Sequence, residues 1–170
     1  MKSRVTPAQT VGPFFHGALC RPLDARAGAG SRARIEINGR VVDGAGAPVS
    51  DALLELWQSD GRESAFARAA TDANGEYRAS AAKLGPVPGA DGKPQAPHIC
   101  VSVFARGLLH RLVTRIYFPD EPGANGADPL LASIDPALRE RLVARAHTGA
   151  GGLRFDVVLQ GEGETPFLDV

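Results

Sequence analysis

At 170 residues the chain has room for one domain with a respectable core, and its 19 basic and 19 acidic residues cancel. That balance argues against a nucleic-acid stripe or a membrane-surface patch. Cys20 and Cys100 are too few for a disulfide framework, the basic start lacks an apolar signal region, and no apolar run is long enough to span a bilayer. A reduced, cytoplasmic protein is expected.

Residues 1–30 read as an extended arm preceding a domain at 31–170. Thr6 to His16 has no sustained periodicity, and Pro7 and Pro13 keep it out of helix. Phe14 and Phe15 need cover, either from their own domain or from a partner chain. Residues 25–32 form a small-residue loop. Ile35, Ile37, Gly39 and Val41 then alternate with Glu36, Asn38 and Arg40 as a half-buried strand does. Asp43 to Pro48 is turn chemistry, and Ala52 to Trp57 is the returning strand. Asp72-Ala73-Asn74-Gly75 is a tight turn into the short strand Glu76 to Ala79. Residues 84–97 are a proline- and glycine-rich loop.

The stretch from Pro97 to Phe118 organises the chain. Ile99, Val101 and Val103 recur at period two, so His98, Cys100, Ser102 and Phe104 share the opposite face. His98 and Cys100 then stand roughly 7 Å apart at Cα, a spacing that suits two ligands of one metal. Gly107 breaks the run, and Leu112 to Phe118 returns as the second strand of a hairpin with Arg106 at its turn. One helix is expected next, with Asp135 as N-cap, Pro136 at N1 and Gly149 to Gly152 as its end. Leu153, Phe155, Val157 and Leu159 alternate as a final strand, followed by a short tail ending on exposed apolar residues. Twenty glycines and 13 prolines favour many short strands over long helices. The expected fold is all-β, an antiparallel β-sandwich with an N-terminal arm and one short helix.

The order of these motifs resembles the intradiol ring-cleaving dioxygenases. Gly39-Arg40-Val41-Val42-Asp43, Ala52-Leu53-Leu54-Glu55-Leu56-Trp57-Gln58, Pro97-His98-Ile99, Thr114-Arg115-Ile116-Tyr117-Phe118 and Arg154-Phe155-Asp156-Val157 carry the likeness over nearly the whole chain. Gln9 to Phe14, Phe104-Ala105-Arg106-Gly107 and Gln160 to Thr165 resemble the alpha subunits of that family. The resemblance implies a transthyretin-like sandwich. It also implies two tyrosines and two histidines around a ferric ion, Fe(3+), in the catalytic chains.

This chain departs from that ligand set. No tyrosine follows Trp57-Gln58 before Phe66, Val87 stands at the second tyrosine place, and Cys100 stands where the second histidine is expected. His98 is therefore read as a buried, hydrogen-bonded imidazole in a leftover pocket, since one histidine cannot fill three or four ligand places. Cys100 reads as a small buried hydrophobe, with no basic neighbour beside it in sequence. Tyr77, Tyr117 and Trp57 read as core. His16, His110 and His147 have no motif, and Ser102 has no triad partner. By resemblance, the iron belongs to a partner beta chain, and Thr10, Gly12, Pro13 and Arg106 of this chain help wall the shared pocket. The implied reaction is O2-dependent cleavage of protocatechuate between its hydroxyls. The alternative is a stand-alone transthyretin-like binding module without a catalytic partner.

Overall fold

The computed structural model describes residues 7, 9–12, 14–19, 34–89, 92–147 and 152–169; Pro13, Cys20, the loop at 25–32 and Gly149 to Gly151 lie outside them. Among the described residues the strands are β1 (Arg34–Val42), β2 (Leu53–Ser59), β3 (Ser64–Ala70), β4 (Glu76–Ala82), β5 (His98–Phe104), β6 (Leu112–Tyr117), β7 (Arg145–His147), β8 (Gly152–Arg154) and β9 (Val157–Val158). They form two sheets, β3-β2-β5-β6 and β4-β1-β8-β7, with β9 also on β1. The fold is thus mostly sheet, as expected. Ile37 and Val41 of β1, Tyr77 of β4 and Leu153 of β8 meet Leu54, Leu56, Ile99, Val101, Val103 and Ile116 in one buried cluster. The alternation of apolar residues in β1 and β5 is what aims these side chains into one core.

The second sheet is mixed rather than antiparallel, because β1 runs parallel to both β8 and β9. The chain reaches β8 after a long excursion from β6, so no tight turn forces reversal. The last strand is also split around Phe155 and Asp156. There the Asp156 carboxylate accepts from the Arg40 amide at 2.9 Å, replacing a ladder bond with a side-chain one.

Several expectations need correction. Trp57 is 48% exposed and is not core. Its run is apolar on both faces, so the pattern did not fix which face points inward; Leu54 and Leu56 take the core side and leave Trp57 outside with Glu55. β3 was not anticipated, because Ala65, Ala67 and Ala69 fill its buried face and alanine carries little strand signal. The expected helix starts as read, with Asp135 capping α4 (Pro136–Arg139) through the Ala137 amide. It stops after a 3-10 turn at Glu140–Leu142, because Ala144 donates to the Tyr117 carbonyl at 3.0 Å and β6 captures the backbone. The arm is not wholly extended: α1 (Phe15–Leu19) begins once the prolines are past. Two further short helices, α2 (Pro122–Ala127) and α3 (Pro129–Ser133), precede α4. In the tail, Phe167 packs on the core and Leu168 donates to the Val113 carbonyl at 2.8 Å, so these residues are half-buried.

Candidate functional site

The β5–β6 turn and the arm meet. Gly107 adopts φ +87°, a left-handed conformation that favours glycine, and its amide donates to the Thr10 hydroxyl at 2.8 Å across 97 residues of sequence. Gly12 lies next along the arm, its carbonyl accepting from Phe15 at 3.1 Å. A cavity of about 160 Å³ opens at this junction, lined by residues that include Gln9, Val11, Phe104, Leu108, His110 and Arg111. Three of the four residues expected to act together, Thr10, Gly12 and Arg106, therefore sit on segments joined by this bond; Pro13 lies outside the described residues.

Arg106 is not a free solvated arginine. Its Nε donates to the Asp51 carboxylate, whose side chain is 19% exposed, while the Arg106 side chain itself is 73% exposed. The pair holds the guanidinium at the turn while leaving most of its surface open to another carboxylate.

His98 and Cys100, which the sequence likeness puts at ligand places, lie on the outer face of the first sheet, and Val87, the third such place, lies in the loop bridged to Gln95. His98 is 6% exposed, and its Nδ1 stands 2.8 Å from the Ala96 carbonyl, which fixes the proton on that nitrogen. Burial, then the nearby Arg115 guanidinium, pushes the imidazole below its ordinary value of 6.5. Cys100 lies directly across from Arg115 in the β5–β6 register. Burial pushes its thiol up, against the opposing pull of that guanidinium. The basic neighbour that sequence proximity did not reveal thus exists, one strand away. Val87 exchanges two backbone bonds with Gln95, whose Oε1 accepts from Arg115 Nη1 at 2.8 Å. Arg115 Nη1 also donates to the Tyr117 hydroxyl at 3.2 Å, and Tyr117 in turn donates to the buried Asp128 at 3.2 Å.

This donor set does not fit a ferric ion. It offers one imidazole, a thiol favoured in its protonated form, an apolar valine, and a guanidinium whose charge opposes a cation. Among the described residues no group of three or more His, Cys, Asp or Glu is placed to hold a metal.

The neutral state of His98 has a measurable consequence. Its folded-state pKa lies below the unfolded value, so the unfolded chain binds more protons as pH falls through that range. The stability from burying the neutral ring is fully present above the unfolded value and is lost as pH falls through the folded one. Thermal melts should show Tm falling as pH drops from 7.5 toward 5.5, and His98→Asn, which keeps a donor near Ala96 without a titrating ring, should flatten that slope. An unchanged slope would assign the loss to other groups.

A sequence profile of the family described as Dioxygenase matches residues 16–161. The chain belongs to the intradiol dioxygenase family. It is 39% identical to the protocatechuate 3,4-dioxygenase alpha chain of Pseudomonas putida, with 96% of each chain covered. It is also 32% identical to the beta chain of that enzyme from Burkholderia cepacia, covering 94% of this chain and 77% of the other. Among solved structures, the dioxygenase domain of a carbohydrate-binding fusion from Streptomyces sp. SirexAA-E superposes with TM-score 0.60 at 25% identity, covering 92% of this chain and 99% of that one. The alignment to the alpha chain spans 197 positions, more than the 170 residues present, so that relative carries segments this dioxygenase lacks. One short connection is the β2–β3 hairpin, where Ser59 pairs directly with Ser64.

Sequence reasoning missed Asp51, Gln95, Arg115 and Asp128. Asp51 is 55 residues from Arg106, and only the fold joins them. Asp128 precedes a proline, the mark of a helix N-cap, and that signal was readable: its carboxylate accepts from the Leu130 and Leu131 amides at 2.9 and 3.0 Å. Among the described residues no helix is long and apolar enough to cross a membrane.

Proposed function

We propose that this chain is the non-iron-binding alpha subunit of a protocatechuate 3,4-dioxygenase, completing the substrate pocket of a ferric beta subunit. The observation that carries the reading is the donor set at the ligand positions: His98, Cys100 and Val87 around Arg115 suit no ferric ion, while the chain aligns with alpha chains along nearly its whole length. The partner supplies the metal chemistry of ring opening by O2 between the two hydroxyls, giving 3-carboxy-cis,cis-muconate. This chain covers and shapes the pocket with Thr10, Gly12 and Pro13 of the arm, and places the Arg106 guanidinium for the substrate's ring carboxylate. The arm at 1–30, the transthyretin-like sandwich domain at 31–170 and a cytoplasmic location complete the proposal.

The test is reconstitution. The chain purified alone should be colourless, hold no stoichiometric iron and cleave no catechol. Co-expressed with a beta chain bearing both tyrosines and both histidines, it should form a complex that consumes O2 with protocatechuate. Iron bound stoichiometrically by the isolated chain would overturn the subunit assignment. Failure to associate with any beta chain would favour the stand-alone binding module.

A further inference from the structure

We propose that the outer face of the second sheet carries a binding site for small polycarboxylates, built on a cross-strand row of arginines. Register places Arg78 of β4 opposite Asn38 of β1, Asn38 beside Arg154 of β8, and Arg154 opposite Arg145 of β7. Three arginines and one amide thus share a line across four strands, about 14 Å long at the usual strand spacing. Like charges directly opposite each other weaken a sheet, so the Arg145–Arg154 pairing works against the fold except as far as Asp156, bonded to Arg154, offsets it, and Arg145 has no such anion within ion-pair distance among the described residues.

The neighbourhood compensates Arg154 but forms no ion pair with Arg78 or Arg145 among the described residues. Arg154 donates to Asp156 at 3.0 Å. For Arg78 and Arg145 no carboxylate lies within ion-pair distance among the described residues. Of the nearby acids, Asp72 accepts from the amides of its own turn and Asp156 from the Arg40 amide as well as from Arg154, while Glu76 borders the Arg78 groove and acts on Arg154 from a distance, and Glu36 shares the face two residues from Asn38.

The surface is also concave. Arg154 borders two adjacent grooves of about 430 and 240 Å³; the first includes Asn38, Arg78 and His147, and the second includes Arg145. A carboxylate lodged between Arg78 and Arg154 would meet guanidinium forks on both sides and the Asn38 amide between them. A second carboxylate on the same molecule would reach Arg145. That spacing selects a di- or tricarboxylate over a single anion. The site is on the sheet opposite the β5–β6 turn, so it is separate from the junction of Thr10 and Arg106, and it does not depend on the function proposed above.

Titration calorimetry on the full chain, alone and in complex, would use citrate as the probe, with acetate and inorganic phosphate at matched ionic strength. Citrate should bind at least tenfold more tightly than either. Arg78→Gln with Arg145→Gln should weaken citrate about tenfold, while Arg62→Gln, which removes one charge from a distant turn, should change it less than twofold. The double variant should melt no lower than the parent in citrate-free buffer, since it relieves repulsion. Should it fail to fold, Arg145→Lys keeps the charge, loses the fork and should still lose several-fold. Equal weakening by Arg62→Gln, or no preference for citrate over acetate, would overturn the site. A glutamate hexamer binding more tightly than citrate through the same arginines would overturn the small-ligand assignment in favour of protein docking.

Discussion

In the reconstituted complex, Arg106→Ala lowers kcat/KM for protocatechuate by about tenfold or more and leaves catechol nearly unaffected. The two substrates differ by one ring carboxylate, so the comparison isolates the charge. A charge-assisted hydrogen bond contributes about 1.5–3 kcal/mol, or roughly ten- to a hundredfold in affinity. The lower end is expected, because the Arg106 side chain is 73% exposed in the chain itself and solvent screens its charge until a partner covers it. Asp51 adds a second handle. It orients the guanidinium while competing with substrate for it, so Asp51→Asn should cost less than Arg106→Ala and show the same substrate dependence. Arg106→Lys should recover only part of the loss, because an ammonium cannot hold Asp51 and a substrate carboxylate in one planar fork. Raised salt should narrow the difference between substrates. Equal losses on both substrates would mean that Arg106 shapes the subunit contact without reading the carboxylate.

How much of this was legible in the sequence depends on the range of each interaction. The period-two pattern of Ile99, Val101 and Val103 placed the β5–β6 hairpin correctly, because a strand's two faces are encoded locally. Turn residues likewise marked the approach to β4. Trp57 failed because a run apolar on both faces carries no parity. β3 failed because its core face is alanine. The helix after Asp135 was correctly started but wrongly ended, since its stop comes from a backbone bond to Tyr117, distant in sequence. The candidate site divides the same way. His98, Cys100 and Val87 could be named from the sequence, but the guanidinium beside Cys100 could not, because Arg115 reaches it across a strand pair. Arg106 was legible as a turn residue, and its partner Asp51, 55 residues away in sequence, was not. Local chemistry was readable; cross-strand chemistry waited for the register.

Gly39→Ala prevents the chain from folding to its native state, or leaves it destabilised by on the order of 4 kcal/mol or more, the range reached by severe core lesions. The cause is space rather than backbone conformation. A Cβ at residue 39 would drive into the Phe155 carbonyl and stand 2.9 Å from the Tyr77 ring. Neither can retreat cheaply. The Phe155 carbonyl accepts from the Tyr77 hydroxyl at 2.6 Å, and the Phe155 amide donates to the Asn38 carbonyl at 2.9 Å. Burial holds the Tyr77 phenol far above its ordinary value, so this hydroxyl stays a donor at every pH of interest. The methyl group would therefore part β1 from the segment joining β8 to β9, where the second sheet closes over the core. Tyr77→Phe separates the two contributions: it removes the hydrogen bond but leaves the packing, and should cost only about 1–3 kcal/mol. Gly123→Ala is the control, since a Cβ in α2 meets nothing within 4 Å and alanine favours helix. At roughly 2–4 °C per kcal/mol for a chain of this size, Gly39→Ala should melt about 8–16 °C or more below the parent, and below Tyr77→Phe, or not express in soluble form. A Gly39→Ala protein melting with the parent would mean that β1 and the Phe155 segment are not pressed together as the structure has them.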